Sequence, residues 1–127
     1  MRNLLILDDN EDLLFAMQRL LSFYDFTVIT TKDHKTFFEI FESSKPGIVI
    51  IDVLLSGADG RQICKKLRED PLNKEVTLIL FSASSRHLEN FEDYGADGII
   101  EKPFGIKDII EKTDAAVRSR KESANRR

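Results

Sequence analysis

The chain has 127 residues, 42% hydrophobic and 32% charged, with a formal net charge of −3. That size suits one domain that buries roughly two-thirds of its unfolded surface, and the slight acidic excess excludes a global basic field drawing it to nucleic acid or anionic membrane. No apolar run approaches the ~20 residues of a membrane span, residues 1–3 lead straight into the first apolar run without a secretory leader pattern, and the single cysteine, Cys64, excludes an internal disulfide. A cytoplasmic protein is the expectation. It would have one domain over residues 1–120 and a short basic, disordered tail over 121–127, too short for a further domain.

In chain order, the first aliphatic run is residues 4–7, ending abruptly at Asp8 and Asp9. A helical stretch follows, in which Leu13, Ala16, Met17, Leu20, Leu21 and Tyr24 share one face of the wheel and Phe15 falls among polar residues. A second run, 27–30, precedes a stripe of Phe37, Ile40 and Phe41. The third, 48–51, ends in Asp52 and is followed by a stripe of Ile63 and Leu67, with Cys64 read as a small buried hydrophobe. The fourth, 77–81, ends at Ser82, and Tyr94 closes the expected helix after it. The fifth, 98–100, leads to Lys102-Pro103 and then to Ile106, Ile109, Ile110, Thr113 and Val117, a clear i, i+3, i+4 stripe. Glycines fall at the joints. Strand-helix alternation of this kind predicts five strands and five helices: an α/β fold, (βα)5, with a doubly wound parallel sheet covered by helices on both faces. The tetrapeptide Gly-Ala-Asp-Gly occurs at 57–60 and 95–98, once after a strand and once before one. It is read as coincident turn chemistry rather than a repeat.

In an open α/β sheet, ligands bind beyond the carboxyl ends of the strands. Asp8, Asp9, Asp52, Ser82 and Lys102 all fall there. Three carboxylates gathered at one edge raise one another's pKa values and need a cation. Hard oxygen donors in small number suit Mg²⁺. An apolar sheet edge with acids, Mg²⁺, a lysine and a hydroxyl is a place for phosphoryl transfer, with one aspartate as nucleophile. Asp9 or Asn10 would also cap the first helix.

The stretches LLILDDNED, IVIIDVLLSGADG, LILFSAS and GADGIIEKPF, in that order and each at its strand end, resemble a two-component response-regulator receiver domain of the chemotaxis-regulator kind. The resemblance spans residues 4–104 and extends to the final helix. It implies a flavodoxin-like sheet in the order 2-1-3-4-5. It also implies a signalling switch rather than an enzyme acting on substrates, phosphorylated by a sensor histidine kinase or a histidine phosphotransfer protein. Asp52 would be the phospho-acceptor. Asp9, Asp52 and the backbone carbonyl of Leu54 would hold Mg²⁺, and Asp8 a metal-bound water. Lys102, Ser82 and Ala83 would meet the phosphate, the Lys102–Pro103 bond would be cis, and Ile99 would stand at the switch position. The output surface, and a possible homodimer contact, would be helix 4, strand 5 and helix 5. Phe15 is the candidate docking contact for the kinase side, and direct nucleic-acid or membrane binding is not expected.

The chain departs from the family pattern at Ser56, where proline is usual, at Ala58, where methionine is usual, and at Ile99, where many receivers carry an aromatic. Leu54 and Ser84 offer no carboxylate or amide to orient water, which implies a long-lived phosphoryl group. A haloacid-dehalogenase-like phosphatase would need an acid where Asn10 stands. A calcium loop starting at Asp8 would need Gly at Leu13 and Glu at Arg19. A receiver-like module that only binds partners is the remaining alternative.

Overall fold

The computed structural model describes residues 2–125. The five apolar runs become the strands of one parallel sheet: β1 (Arg2–Leu7), β2 (Phe26–Thr31), β3 (Ile48–Asp52), β4 (Thr77–Ser82) and β5 (Gly98–Glu101). They lie in the order β2-β1-β3-β4-β5, as expected. The inner strands β1, β3 and β4 are buried on both faces, which is why they read as unbroken aliphatic runs, while the edge strands β2 and β5 are partly exposed. Leu5, Leu7, Val49, Ile51, Leu78 and Leu80 meet Phe37, Phe41, Ile63, Cys64 and Leu67 on one face. Leu4, Ile6, Ile48, Ile50, Ile79 and Phe81 meet Leu14, Met17, Leu21, Ile109 and Ala116 on the other.

Four α-helices cover these faces: α1 (Glu11–Leu21), α2 (His34–Ser44), α3 (Gly60–Glu69) and α4 (Ile106–Ala124). Asn10, Asp33 and Asp59 cap the first three with side-chain oxygens that accept helix N–H bonds. In α1 the buried stripe is Leu14, Met17 and Leu21. The expected face was therefore displaced by about one position, and Ala16 and Leu20 are exposed.

Three further expectations need correction. The connection from β4 to β5 is not a fifth helix but two 3₁₀ turns, Ser85–Leu88 and Phe91–Tyr94. Only Leu88 is fully buried there, and Asn90 takes a left-handed conformation at φ 56° between them. So short an apolar stripe does not offset helix nucleation. Tyr94, expected at the end of that helix and over the core, has the Arg61 guanidinium above its ring, 5.4 Å from the ring centre. Finally, α4 continues to Ala124, which is buried, so residues 121–124 of the expected tail are helical. Residues 126–127 of that tail lie outside the described residues.

At the far end of the sheet from the strand carboxyl ends, Asp97 is almost wholly buried between Arg68 (2.9 Å) and Arg120 (3.6 Å). Its carboxylate also accepts the Leu78 N–H at 3.0 Å. Arg68 donates in addition to the carbonyls of Gly95, Asn73 and Val76. One guanidinium thus ties α3 to the entries of β4 and β5, and its five fixed donors explain why lysine would not serve. The second Gly-Ala-Asp-Gly is therefore structural, whereas the first caps α3.

The loop after β3 folds back as a small ribbon, Leu54–Leu55 against Ala58–Asp59. It brings the start of α3 onto the end of β3. A Cβ at Gly60 would stand 1.9 Å from the Asp52 carbonyl oxygen, while one at Gly47 would meet nothing within 4 Å. Gly60→Ala is expected to cost about 3 kcal/mol or to prevent folding, whereas Gly47→Ala stays within about 0.5 kcal/mol. Urea unfolding of the two variants checks this contrast.

Candidate functional site

Strand register brings the acids together. Leu7 pairs with Ile51, so Asp8 and Asp52, the next residues on neighbouring strands, emerge side by side. Both are buried, at 1% and 6% exposure. Lys102, just past the end of β5, reaches back over them. Its Nζ donates to Asp8 Oδ2 at 2.8 Å and lies 3.4 Å from Asp52 Oδ2. The ammonium also rests 4.6 Å from the centre of the Phe81 ring, a cation–π contact that helps hold it. The Lys102–Pro103 bond is cis. The lysine thus bridges two carboxylates rather than pairing with Asp52 alone, and Asp8 is the closer.

One ammonium does not balance the pair. Burial first, and the neighbouring Asp8 charge second, push the Asp52 carboxyl up to about 6, against the opposing pull of Lys102 and the Leu54 N–H. The other oxygen of Asp8 is occupied by the Asn10 N–H at 2.8 Å, which leads into the α1 cap.

The remaining expected residues are placed as follows. Asp9 is exposed, and its Oδ2 accepts the Ser56 N–H at 2.5 Å. Among the described residues, no three His, Cys, Asp or Glu side chains converge as a ready metal cage; the expected cage of Asp8, Asp9 and Asp52 is not assembled in this conformation. Ser82, 1% exposed, is one strand beyond Asp52, with its Oγ accepting the Ser84 N–H at 3.1 Å. Its carbonyl accepts the Lys102 N–H at 2.9 Å, which ties the hydroxyl strand to the lysine. Ala83 is exposed beside it. Ile99 is half-buried against the core face that holds α2 and α3. Leu54 is 56% exposed on the ribbon, and Phe15 is 63% exposed on α1, with the Arg19 guanidinium 5.6 Å above its ring. Asp8, Asp52, Lys102 and Ser82 are therefore brought together at the strand ends, while Asp9, next in the chain, is bonded to the loop at Ser56.

The donor chemistry fits a hard divalent cation. The carboxylates offer only oxygen, and two of them, Asp8 and Asp52, share a single ammonium. Two contributors were not legible in the sequence. The Ser56 N–H is a backbone group, and the Arg61–Asp59 pair at 2.8 Å, which fixes the ribbon to α3, is visible only once the loop is folded. A cleft of 440 Å³ at the other end of the sheet, bordered by Arg2, Gly47 and Val117, contains none of these acids.

The sequence profile of the response regulator receiver domain matches residues 4–114. The chain belongs to this family. Receivers are signalling domains of two-component systems that partner with histidine kinases. The chain is 27% identical over 119 residues to the alkaline phosphatase synthesis transcriptional regulatory protein PhoP of Bacillus subtilis, covering 92% of this chain and 49% of that protein. It is 30% identical over 117 residues to the response regulator protein GraR of Staphylococcus epidermidis, covering 91% and 51% respectively. The chain thus spans about half the length of these curated relatives. Among solved structures, a receiver domain from Clostridium thermocellum has a TM-score of 0.84 at 18% identity, covering 96% of this chain and 98% of that one. TrrA from Thermotoga maritima, solved in complex with Mg²⁺ and BeF, has a TM-score of 0.81 at 22% identity, covering 91% and 99%. At those identities the likeness concerns the fold.

Because the folded Asp52 pKa lies above the ordinary carboxylate value, its ionised form costs stability above about pH 6, and the cost fades as pH falls below that. Asp52→Asn is expected to stabilise the metal-free receiver by about 1–2 kcal/mol at pH 7.5, with the gain shrinking toward pH 5. Urea midpoints measured across that range in a chelator check the sign.

Proposed function

We propose that this receiver is a phosphorylation-controlled switch, with Asp52 as the phospho-acceptor in a Mg²⁺-dependent reaction. The observation that carries the reading is the buried Asp8–Asp52 pair bridged by a single ammonium, with Asp52 pushed up to about 6. An Asp52 carboxylate oxygen attacks the phosphorus of a phosphohistidine on a sensor kinase or phosphotransfer protein. The phosphorus–nitrogen bond breaks, and the electron pair leaves with the imidazole. Held by Asp9, Asp52 and the Leu54 carbonyl, with Asp8 acting through water, Mg²⁺ would supply charge neutralisation and keep Asp52 ionised.

The chain's own groups do the rest. Lys102 is already within reach of Asp52 and transfers its ion pair to the new phosphoryl oxygens. The Ser82 hydroxyl uses its oxygen to accept from Ser84, which leaves its proton to donate to the phosphoryl group, and the exposed Ala83 stands beside it. The added charge of about −1.5 to −2 draws Ser82 and Lys102 inward. Both belong to segments that flank the 3₁₀ turns 85–94, so the pull reaches the surface formed by those turns, β5 and α4. Ile99 and Phe91, packed on the same core face, transmit it by shape, since Ile99 has no hydroxyl to flip. That surface would meet the downstream partner or a second copy. A shift from 1% to 99% occupancy of the switched state takes about 5.5 kcal/mol.

Intact mass after incubation with acetyl phosphate should show one phosphoryl adduct that requires both Mg²⁺ and Asp52. Phe15→Ala should leave that adduct unchanged and slow transfer from the cognate kinase severalfold. No adduct on the folded protein would replace this reading with a receiver that only binds partners.

A further inference from the structure

The contact between Asp9 and Ser56 has a consequence for metal loading, resting on the Mg²⁺ reading above. We infer that the Ser56 backbone N–H is a positioning group that holds Asp9 out of the metal site, so that the resting loop opposes entry of the ion. The bond joins groups 47 residues apart along the chain, the Ser56 nitrogen and Asp9 Oδ2. Hydrogen bonds from N–H to an ionised carboxylate are the shorter and stronger kind. Asp9 is the acid expected on the ion, yet the described residues form no three-acid cage. The bond from the Ser56 N–H to Asp9 accounts for that.

The donor is held in place. Ser56 and Gly57 are the two central residues of the ribbon's turn, with Leu55 paired to Ala58 and Leu54 to Asp59. The base of the ribbon is fastened by the Gly60 N–H to the Val53 carbonyl at 2.8 Å. Asp59 fastens it again by capping α3 and pairing with Arg61. The N–H therefore points where the loop points it. For Asp9 to face Asp52, it must give up this bond or drag the ribbon with it. Metal loading and loop geometry are coupled through one backbone hydrogen.

The turn itself supplies the test. Gly57 has φ 78°, and Ser56 is not among the positive-φ residues. That is the pattern of a type II turn, which favours proline at its first central position. Leu55 is in the ribbon, the extended conformation that proline wants before it. Ser56→Pro thus removes the N–H at little cost in strain, and Ser56→Ala changes the side chain while keeping the N–H.

Mg²⁺ titration by calorimetry on the wild type, Ser56→Pro and Ser56→Ala reads the competition. Ser56→Pro is expected to bind Mg²⁺ about three- to tenfold more tightly, and Ser56→Ala to match the wild type. An NMR measurement in the absence of metal makes the second test. The Ser56 amide proton should resonate downfield in the wild type, then move upfield and exchange faster with solvent in Asp9→Asn. Equal or weaker Mg²⁺ binding by Ser56→Pro, or a Ser56 amide indifferent to Asp9→Asn, overturns the inference while the Mg²⁺ reading stands. Failure of the wild type and both variants to bind Mg²⁺ at all overturns that reading, and the inference with it.

Discussion

Two carboxylates on adjacent parallel strands, both buried and sharing one lysine, set the terms for the rest of this molecule. Asp8 and Asp52 are neighbours because β1 and β3 are neighbours. Their burial and their mutual repulsion, in that order, push the Asp52 carboxyl up, and the ammonium of Lys102 opposes this only in part. A site with surplus negative charge at a sheet edge has affinity for any group that brings positive charge. It is also sensitive to any reaction that adds more negative charge. Both properties belong to a switch, and both follow from strand order before any partner is considered.

The remainder of the fold keeps that edge in place. Aliphatic strands buried on both faces fix the register, and a one-step slip would separate the acids. Gly60 lets α3 begin directly against the Asp52 backbone. At the opposite end, the Arg68–Asp97–Arg120 cluster fastens α3, β4 and β5, so the β4 and β5 ends carrying Ser82 and Lys102 are tied at their base. Nearest the chemistry lie the ribbon after Asp52 and the 3₁₀ turns that stand where a regular helix was expected.

Most of this was legible because the informative residues are periodic or terminal. Strand runs of four aliphatics stop at charged or hydroxyl residues, and that coincidence, repeated at Asp8, Asp52 and Ser82, reveals both the sheet and its functional edge. What escaped had no such signature. The β4–β5 connection contains Leu88 and Phe91 at helical spacing, but two residues do not distinguish a helix from two short turns, and the left-handed Asn90 decides the matter. The face of α1 was off by a position because Leu14 adjoins the apolar Leu13, and packing on the sheet, not the wheel, chooses between them. The partner of Asp9 is a backbone N–H at Ser56, and main-chain donors are the same in every sequence but for proline. Asp97 read as an ordinary turn residue because its partners, Arg68 and Arg120, lie 29 and 23 residues away along the chain.

On the function proposed above, the Asp8–Asp52 pair is held by a cation, supplied by Lys102 at rest and by Mg²⁺ when loaded. The most direct test is urea unfolding of Lys102→Met beside the wild type, in chelator and in millimolar Mg²⁺. Without metal the variant should lose about 2–4 kcal/mol, the cost of leaving buried carboxylates without their cation. Mg²⁺ should then restore more stability to the variant than it adds to the wild type. A variant as stable as the wild type in chelator, gaining no more from Mg²⁺, would contradict the account.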